Sequence, residues 1–227
     1  MNQVLVKVCG VTDVGNALAC IQAGADYLGL NFHPPSPRSL TIAQAGAIAA
    51  TLGPKAELVG LFVDRPILEV AAILRAIPEI RTIQLHGSED LPYLEACRTL
   101  PNRPQVIRAF RLRDVADVAS MSAYLEAASR SQVGPDVILV DAFVSGRLGG
   151  TGHAIPVELL DHLPGHPRLI LAGGLNPANV EGRVRRVRPW MVDVASGVES
   201  SPGWKDPEQV AAFVRVAQSG IEAVPNR

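Results

Sequence analysis

The feature that most constrains this chain is a rhythm. Eight short β-branched runs recur, and a stretch with helical spacing follows each one. The runs cover 4–9, 27–32, 58–63, 82–85, 105–110, 137–141, 169–172 and 191–195. Most show no clean apolar–polar alternation, as expected of parallel strands buried on both faces. The stretches between them repeat apolar residues at three and four and carry helix punctuation. Asp13 stands as an N-cap before "VGNALACIQAGA", and Thr41 stands before "IAQAGAIAATL", with Gly53 closing it. Pro66 opens "ILEVAAILRAI" at a first helical position. "PVELLDHL" and "NPANVEGRVRR" read as the sixth and seventh helices, the latter capped by Asn176 with Pro177 next. Eight βα units predict an α/β fold, a single (β/α)8 TIM barrel with parallel strands over residues 1–227. Residues 221–227 read as a frayed tail. An open doubly wound sheet is the structural alternative, because periodicity does not encode closure.

Charge and cysteine usage exclude several function classes. The net charge of −1 gives no global field toward nucleic acid or an anionic membrane. The arginine run from Arg183 to Arg188 suits a helix C-terminus, and no aromatic interleaving accompanies it. No leader pattern and no long apolar run stand out, so a soluble, cytoplasmic protein is expected. Oligomeric state, monomer or homodimer, is not encoded in any visible apolar stripe. The three cysteines are odd in number and widely spaced, which speaks against a disulfide framework or zinc knuckle. Cys20 and Cys97 fall on apolar helix faces and read as core.

In such a barrel the chemistry sits where strands end. Those ends carry Cys9-Gly10, Asp64, Gln84 with His86, Arg111, Asp141, Gly173-Gly174, and Asp193 with Ser196-Gly197. The Pro-stiffened loop "HPPSPRSL" adds Arg38, a guanidinium suited to carboxylate or phosphate. The loops at Gly173-Gly174 and Ser196-Gly197 occupy the slots where barrels often bind phosphate. "RLGGTGHAIP" is a third glycine loop, able to approach the same anion or to act as a lid. Asp141 ends an apolar strand and is a candidate general acid; the bland alternative is a helix cap or an arginine partner. Asp64 fits that alternative better, because Arg65-Pro66 follows at once. His33 and His86 with Asp64 and Asp141 come nearest to a metal set, and fall short of a convincing one. Cys9, at the rim rather than mid-strand, is a candidate base or nucleophile provided its pKa falls.

"KVCGVT", "NFHPPSPRSLT", "GLFVD", "IQLHG", "LVDA", "GGTG", "LAGGLNPANV" and "VDVASGVESSPGWKD" together resemble the phosphoribosylanthranilate isomerase family of tryptophan biosynthesis, from Lys7 to Asp206 in order. The resemblance implies a (β/α)8 barrel and an Amadori rearrangement of N-(5′-phosphoribosyl)anthranilate without metal or cofactor. It implies a phosphorylated small-molecule substrate and no nucleic-acid partner. It makes Cys9 the base at ribose C2′ and Asp141 the acid at the ring oxygen. Arg38 would hold the anthranilate end, with His86 and Asp193 lining the site. Gly173, Gly174, Ser196 and Gly197 would bind phosphate. The chain departs from the family in "HAIPVELL", where an aromatic-Asp-Trp stretch is common, and at Ala195, where a serine is usual. Neither departure touches acid or base. A metal-dependent ribulose-phosphate epimerase, the isomerase of histidine biosynthesis and a non-catalytic phosphometabolite sensor are the competing readings. The histidine-pathway enzyme would want Asp where Cys9 stands.

Overall fold

In a computed structural model of the protein, each of the eight runs is a strand, and the strands close on themselves. The structure describes residues 3–142, 155–163 and 165–222. β1 (Leu5–Cys9), β2 (Tyr27–Asn31), β3 (Glu57–Phe62), β4 (Ile80–Leu85), β5 (Gln105–Leu112), β6 (Val137–Ala142), β7 (Leu169–Leu171) and β8 (Met191–Val194) run parallel in chain order. β8 pairs back onto β1, setting Leu5 beside Met191 and Lys7 beside Asp193. That closure rules out the doubly wound alternative.

Seven α-helices are described: α1 (Val14–Gln22), α2 (Ile42–Leu52), α3 (Ile67–Ala76), α4 (Leu91–Cys97), α5 (Val115–Ser131), α6 (Val180–Val187) and α7 (Pro207–Glu222). Their starts follow the chemistry of the orphan amides. Asp13, Asp90 and Asp114 accept from the third residue on, and Thr41 forms a reciprocal capping box with Gln44. Four expectations are corrected. The sixth helix is a 3₁₀ segment, Val157–His162, because Pro156 and Pro164 leave only seven residues between them. Pro66 is the residue before α3, not its first. α6 begins at Val180, although Asn176 still accepts from the Ala178 amide in the turn that leads into it. α7 continues through Ile221 and Glu222, the first two residues of the expected tail.

The pleat decides which side chains meet. Successive strand residues face opposite sides, so Val6, Val8, Ile138, Val140 and Val192 point outward and join helix residues such as Ile48, Leu74 and Phe213 in one core. Val59, Ile107, Leu139, Ile170 and Met191 point inward and fill the lower barrel. The same period carries the inward face upward: Leu5 to Lys7 to Cys9, Leu139 to Asp141, Met191 to Asp193. The barrel is therefore apolar below and polar at the C-terminal end of its strands. A third layer of polar groups sits on an oily floor.

Candidate active site

Cys9 ends β1 just inside the rim, 8% exposed and in register with Gly29 of β2. A Cβ at Gly29 would lie 2.7 Å from the Cys9 Sγ, so the glycine in that strand makes room for the thiol. One step below, Lys7 is fully buried with its Nζ 2.9 Å from Asp193 Oδ1. This is the cross-strand pair set by the β1–β8 register. Burial works against the Lys7 ammonium, but Asp193 and the neighbouring thiol more than offset it and hold the charge. Burial pushes the Cys9 thiol above its ordinary value; Lys7 opposes that push and Asp193 reinforces it. The lowered thiol that a base at Cys9 calls for is thus not met; burial outweighs Lys7 here. Lys7 is the feature that lessens the shortfall.

Across the mouth, Asp141 ends β6. Its Oδ1 accepts from the Ala142 amide at 2.8 Å, and its Oδ2 lies 3.4 Å from His86 Nε2. Gln84, fully buried on β4, sets its amide nitrogen 3.2 Å from His86 Nδ1. In the Nε2–H tautomer Nδ1 accepts from that amide, and Nε2 faces Asp141 without a hydrogen bond among the described residues. Asp141 therefore presents one oxygen held by backbone and one facing an imidazole.

Arg38 lies over Gly10, where an added Cβ would come 2.5 Å from its Cδ. Its Nε and Nη2 donate to the two carboxylate oxygens of Glu199 at 2.8 and 2.6 Å. Gly173 and Gly174 both have left-handed φ, of 84° and 59°. A Cβ at Gly173 would crowd the Ala142 amide at 2.5 Å, so only glycine lets this loop close on the acid. Gly197 sits in a 3₁₀ turn, Ser196–Val198, packed on the carbonyl of Leu175. The two glycine loops thus brace one another. A Cβ at Gly197 would overlap that carbonyl, and Gly197→Ala is expected to shift the Ser196-Gly197 turn. The expected loss in kcat/KM is about tenfold or more, since ångström-scale displacement of a positioning group costs up to about a hundredfold. Steady-state kinetics would show it mainly in KM.

Cys9, Arg38, His86, Asp141, Gly173, Gly174, Asp193, Ser196 and Gly197 all line one cleft at the C-terminal mouth of the barrel. The "GGTG" loop lies outside the described residues. Asp64 is elsewhere engaged: its Oδ1 accepts from Ser88 and its own amide donates to Glu89, bracing the loops after β3 and β4. The arginine run is spent on local partners, with Arg185 on Glu181 and Arg186 on Asp161. Among the described residues no group of three or more His, Cys, Asp or Glu could hold a metal ion. No described helix is long and apolar enough to cross a membrane. Sequence reasoning missed the roles of Lys7, Gln84, Glu199 and Lys205. Lys7 and Gln84 each carry a signal, a polar residue two before a candidate site residue on a strand buried on both faces.

A family model described as N-(5′-phosphoribosyl)anthranilate (PRA) isomerase matches residues 6–216. A Thiobacillus denitrificans protein named N-(5′-phosphoribosyl)anthranilate isomerase is 42% identical over 217 residues, spanning 95% of this chain and 98% of that protein. The crystal structure of phosphoribosyl anthranilate isomerase from Thermotoga maritima is similar with a TM-score of 0.79 and 32% identity, over 95% of this chain and 99% of that one. A structure of phosphoribosyl anthranilate isomerase in complex with reduced 1-(o-carboxyphenylamino)-1-deoxyribulose 5-phosphate matches with a TM-score of 0.76 and 32% identity, over 95% of this chain and 99% of that one.

Proposed function

The chain belongs to the N-(5′-phosphoribosyl)anthranilate isomerase family, and on that premise we infer that Cys9 and Asp141 carry its reaction as base and acid. The protein is an aldose–ketose isomerase of tryptophan biosynthesis. It converts N-(5′-phosphoribosyl)anthranilate to 1-(2-carboxyphenylamino)-1-deoxyribulose 5-phosphate. The observation that carries the assignment of roles is the placement of Cys9 and Asp141 on opposite walls of one cleft, with glycine loops beside them.

The chemistry follows from the substrate. Asp141 gives a proton to the ring oxygen, the C1′–O bond breaks, and the nitrogen lone pair forms a C1′=N⁺ bond. Cys9 takes the C2′ proton, and the electrons of that bond form C1′=C2′ and neutralise the nitrogen. The enaminol then becomes the ketone, as C1′ gains a proton and the C2′ hydroxyl loses one. No atom is gained or lost overall. Arg38 holds the anthranilate carboxylate, and His86 and Asp193 keep acid and base in place. Gly173, Gly174, Ser196 and Gly197 take the phosphate, whose remote binding energy positions the sugar.

The test is turnover of freshly generated phosphoribosylanthranilate by the purified protein, followed as loss of substrate fluorescence. Loss that persists after chelator is the expected result. A folded sample that leaves the fluorescence unchanged would overturn the function.

A further inference from the structure

We propose that Glu199 and Lys205 form a positioning relay that fixes Arg38 edge-on and ties it to the phosphate loop, so that the two ends of the substrate are gripped by one rigid unit. The proposal rests on Arg38 being the carboxylate anchor.

A guanidinium offers five N–H donors on two usable edges. Among the described residues, Glu199 takes the Nε–Nη2 edge in a bidentate contact. The edge formed by Nη1 and the second Nη2 hydrogen is left for another carboxylate in the cleft. Glu199 is itself held. Lys205, fully buried, sets its Nζ 2.6 Å from Glu199 Oε1, and the Gly203 amide donates to the same oxygen at 3.2 Å. The same Nζ donates to the carbonyl of Ala195 at 3.1 Å, the residue that leads into Ser196-Gly197. Lys205 is in turn locked by Asn16 of α1, which accepts from its amide at 2.9 Å and donates to its carbonyl at 2.7 Å. Arg38, Glu199, Lys205 and the Ala195 carbonyl thus form a continuous chain from the carboxylate end to the phosphate loop. The usual serine hydroxyl is missing at Ala195, but its backbone carbonyl is a fixed point of this chain. Arg38 and Lys205 flank Glu199, which supports the Lys205 ammonium against the burial that works to lower it.

Binding of reduced 1-(o-carboxyphenylamino)-1-deoxyribulose 5-phosphate and of D-ribose 5-phosphate, measured by titration calorimetry, tests the relay. Glu199→Gln keeps shape and loses the charge. It is expected to weaken the first ligand about tenfold and the second less than about twofold, because only the first carries the carboxylate. In turnover the expected signature is a KM about tenfold higher with kcat within about threefold. Placed on an Arg38→Ala background, Glu199→Gln should cause no further loss of the first ligand, since its effect runs through Arg38. Lys205→Met should weaken both ligands, and Glu199→Asp should recover part of the Glu199→Gln loss. Undiminished affinity in Glu199→Gln, or an equal loss with and without Arg38, overturns the relay. An Arg38→Ala variant that binds the first ligand normally removes the anchor and the relay with it. A wild-type protein that binds the first ligand without turning over substrate counts against the isomerase function and leaves the relay measurable.

Discussion

Cys9→Ala is expected to lower kcat by about a hundredfold to ten-thousandfold, the usual range for removal of a general acid or base. The barrel should survive. The change deletes one small buried sulfur beside Gly29 and keeps the β-carbon, so the stability cost is expected near that of a single lost methyl-sized group, about 1 kcal/mol. Circular dichroism and thermal unfolding would separate the two effects. Cys9→Ser sharpens the test, because a hydroxyl keeps the shape but ionises far less readily than a thiol.

The same assignment fixes the sign of a pH response. A base must be deprotonated to act, and burial raises the Cys9 thiol above its ordinary value. At neutral pH Cys9 is therefore mostly thiol. As pH rises toward the thiol's own titration, the reactive fraction grows, and kcat/KM should climb on the acid side of its profile. Lys7 limits how far that limb is displaced, by placing an ammonium beside the sulfur. A folded Cys9→Ala protein that turns over substrate at near wild-type rate would remove Cys9 from the mechanism.

The strands and their order were legible because each is a compact β-branched run buried on both faces, which leaves little ambiguity in period. Closure was not legible, since nothing local in β1 or β8 states that Lys7 will lie beside Asp193. The sixth connection was misread for a physical reason. "PVELLDHL" has helical spacing, but prolines bound it and it is too short to propagate beyond a 3₁₀ turn. Cys9, Asp141, Arg38 and the glycine loops could be picked out because they stand at strand ends, where a barrel gathers them. Lys7 and Gln84 sit one step lower, where an inward polar residue looks like an exception in an apolar strand. Glu199 and Lys205 were harder still. They lie on a small hairpin, β9 (Glu199–Ser201) with β10 (Trp204–Lys205), and their side-chain partners Asn16 and Arg38 come from the first and second βα units. Pairing across more than 150 residues, from the first two βα units to the hairpin after β8, leaves no spacing to read.

Asp141→Asn is expected to cost a similar factor in kcat, about a hundredfold or more, with the fold again intact. Asparagine matches the shape and keeps an oxygen for the Ala142 amide. What it lacks is a proton to give to the ring oxygen. It also presents an NH₂ where Oδ2 met His86 Nε2 at 3.4 Å. Two donors would then face one another, and the ring is expected to answer by moving its proton to Nδ1. That places a donor against the Gln84 amide nitrogen, now 3.2 Å away. Gln84 can turn its amide over, because its Oε1 is buried with no hydrogen-bond partner among the described residues. Asp141→Asn should therefore switch the His86 tautomer from Nε2–H to Nδ1–H, a change read from the ring nitrogen shifts by nitrogen-15 NMR. Gln84→Leu should remove the partner that fixes the tautomer in the wild type, with a smaller loss of rate than Asp141→Asn, because it acts only through His86. Turnover by Asp141→Asn within about tenfold of wild type would exclude Asp141 as the acid, since a positioned acid is worth more than that. A slow variant whose His86 keeps its Nε2 proton would leave the acid in place and break the link from Asp141 through His86 to Gln84.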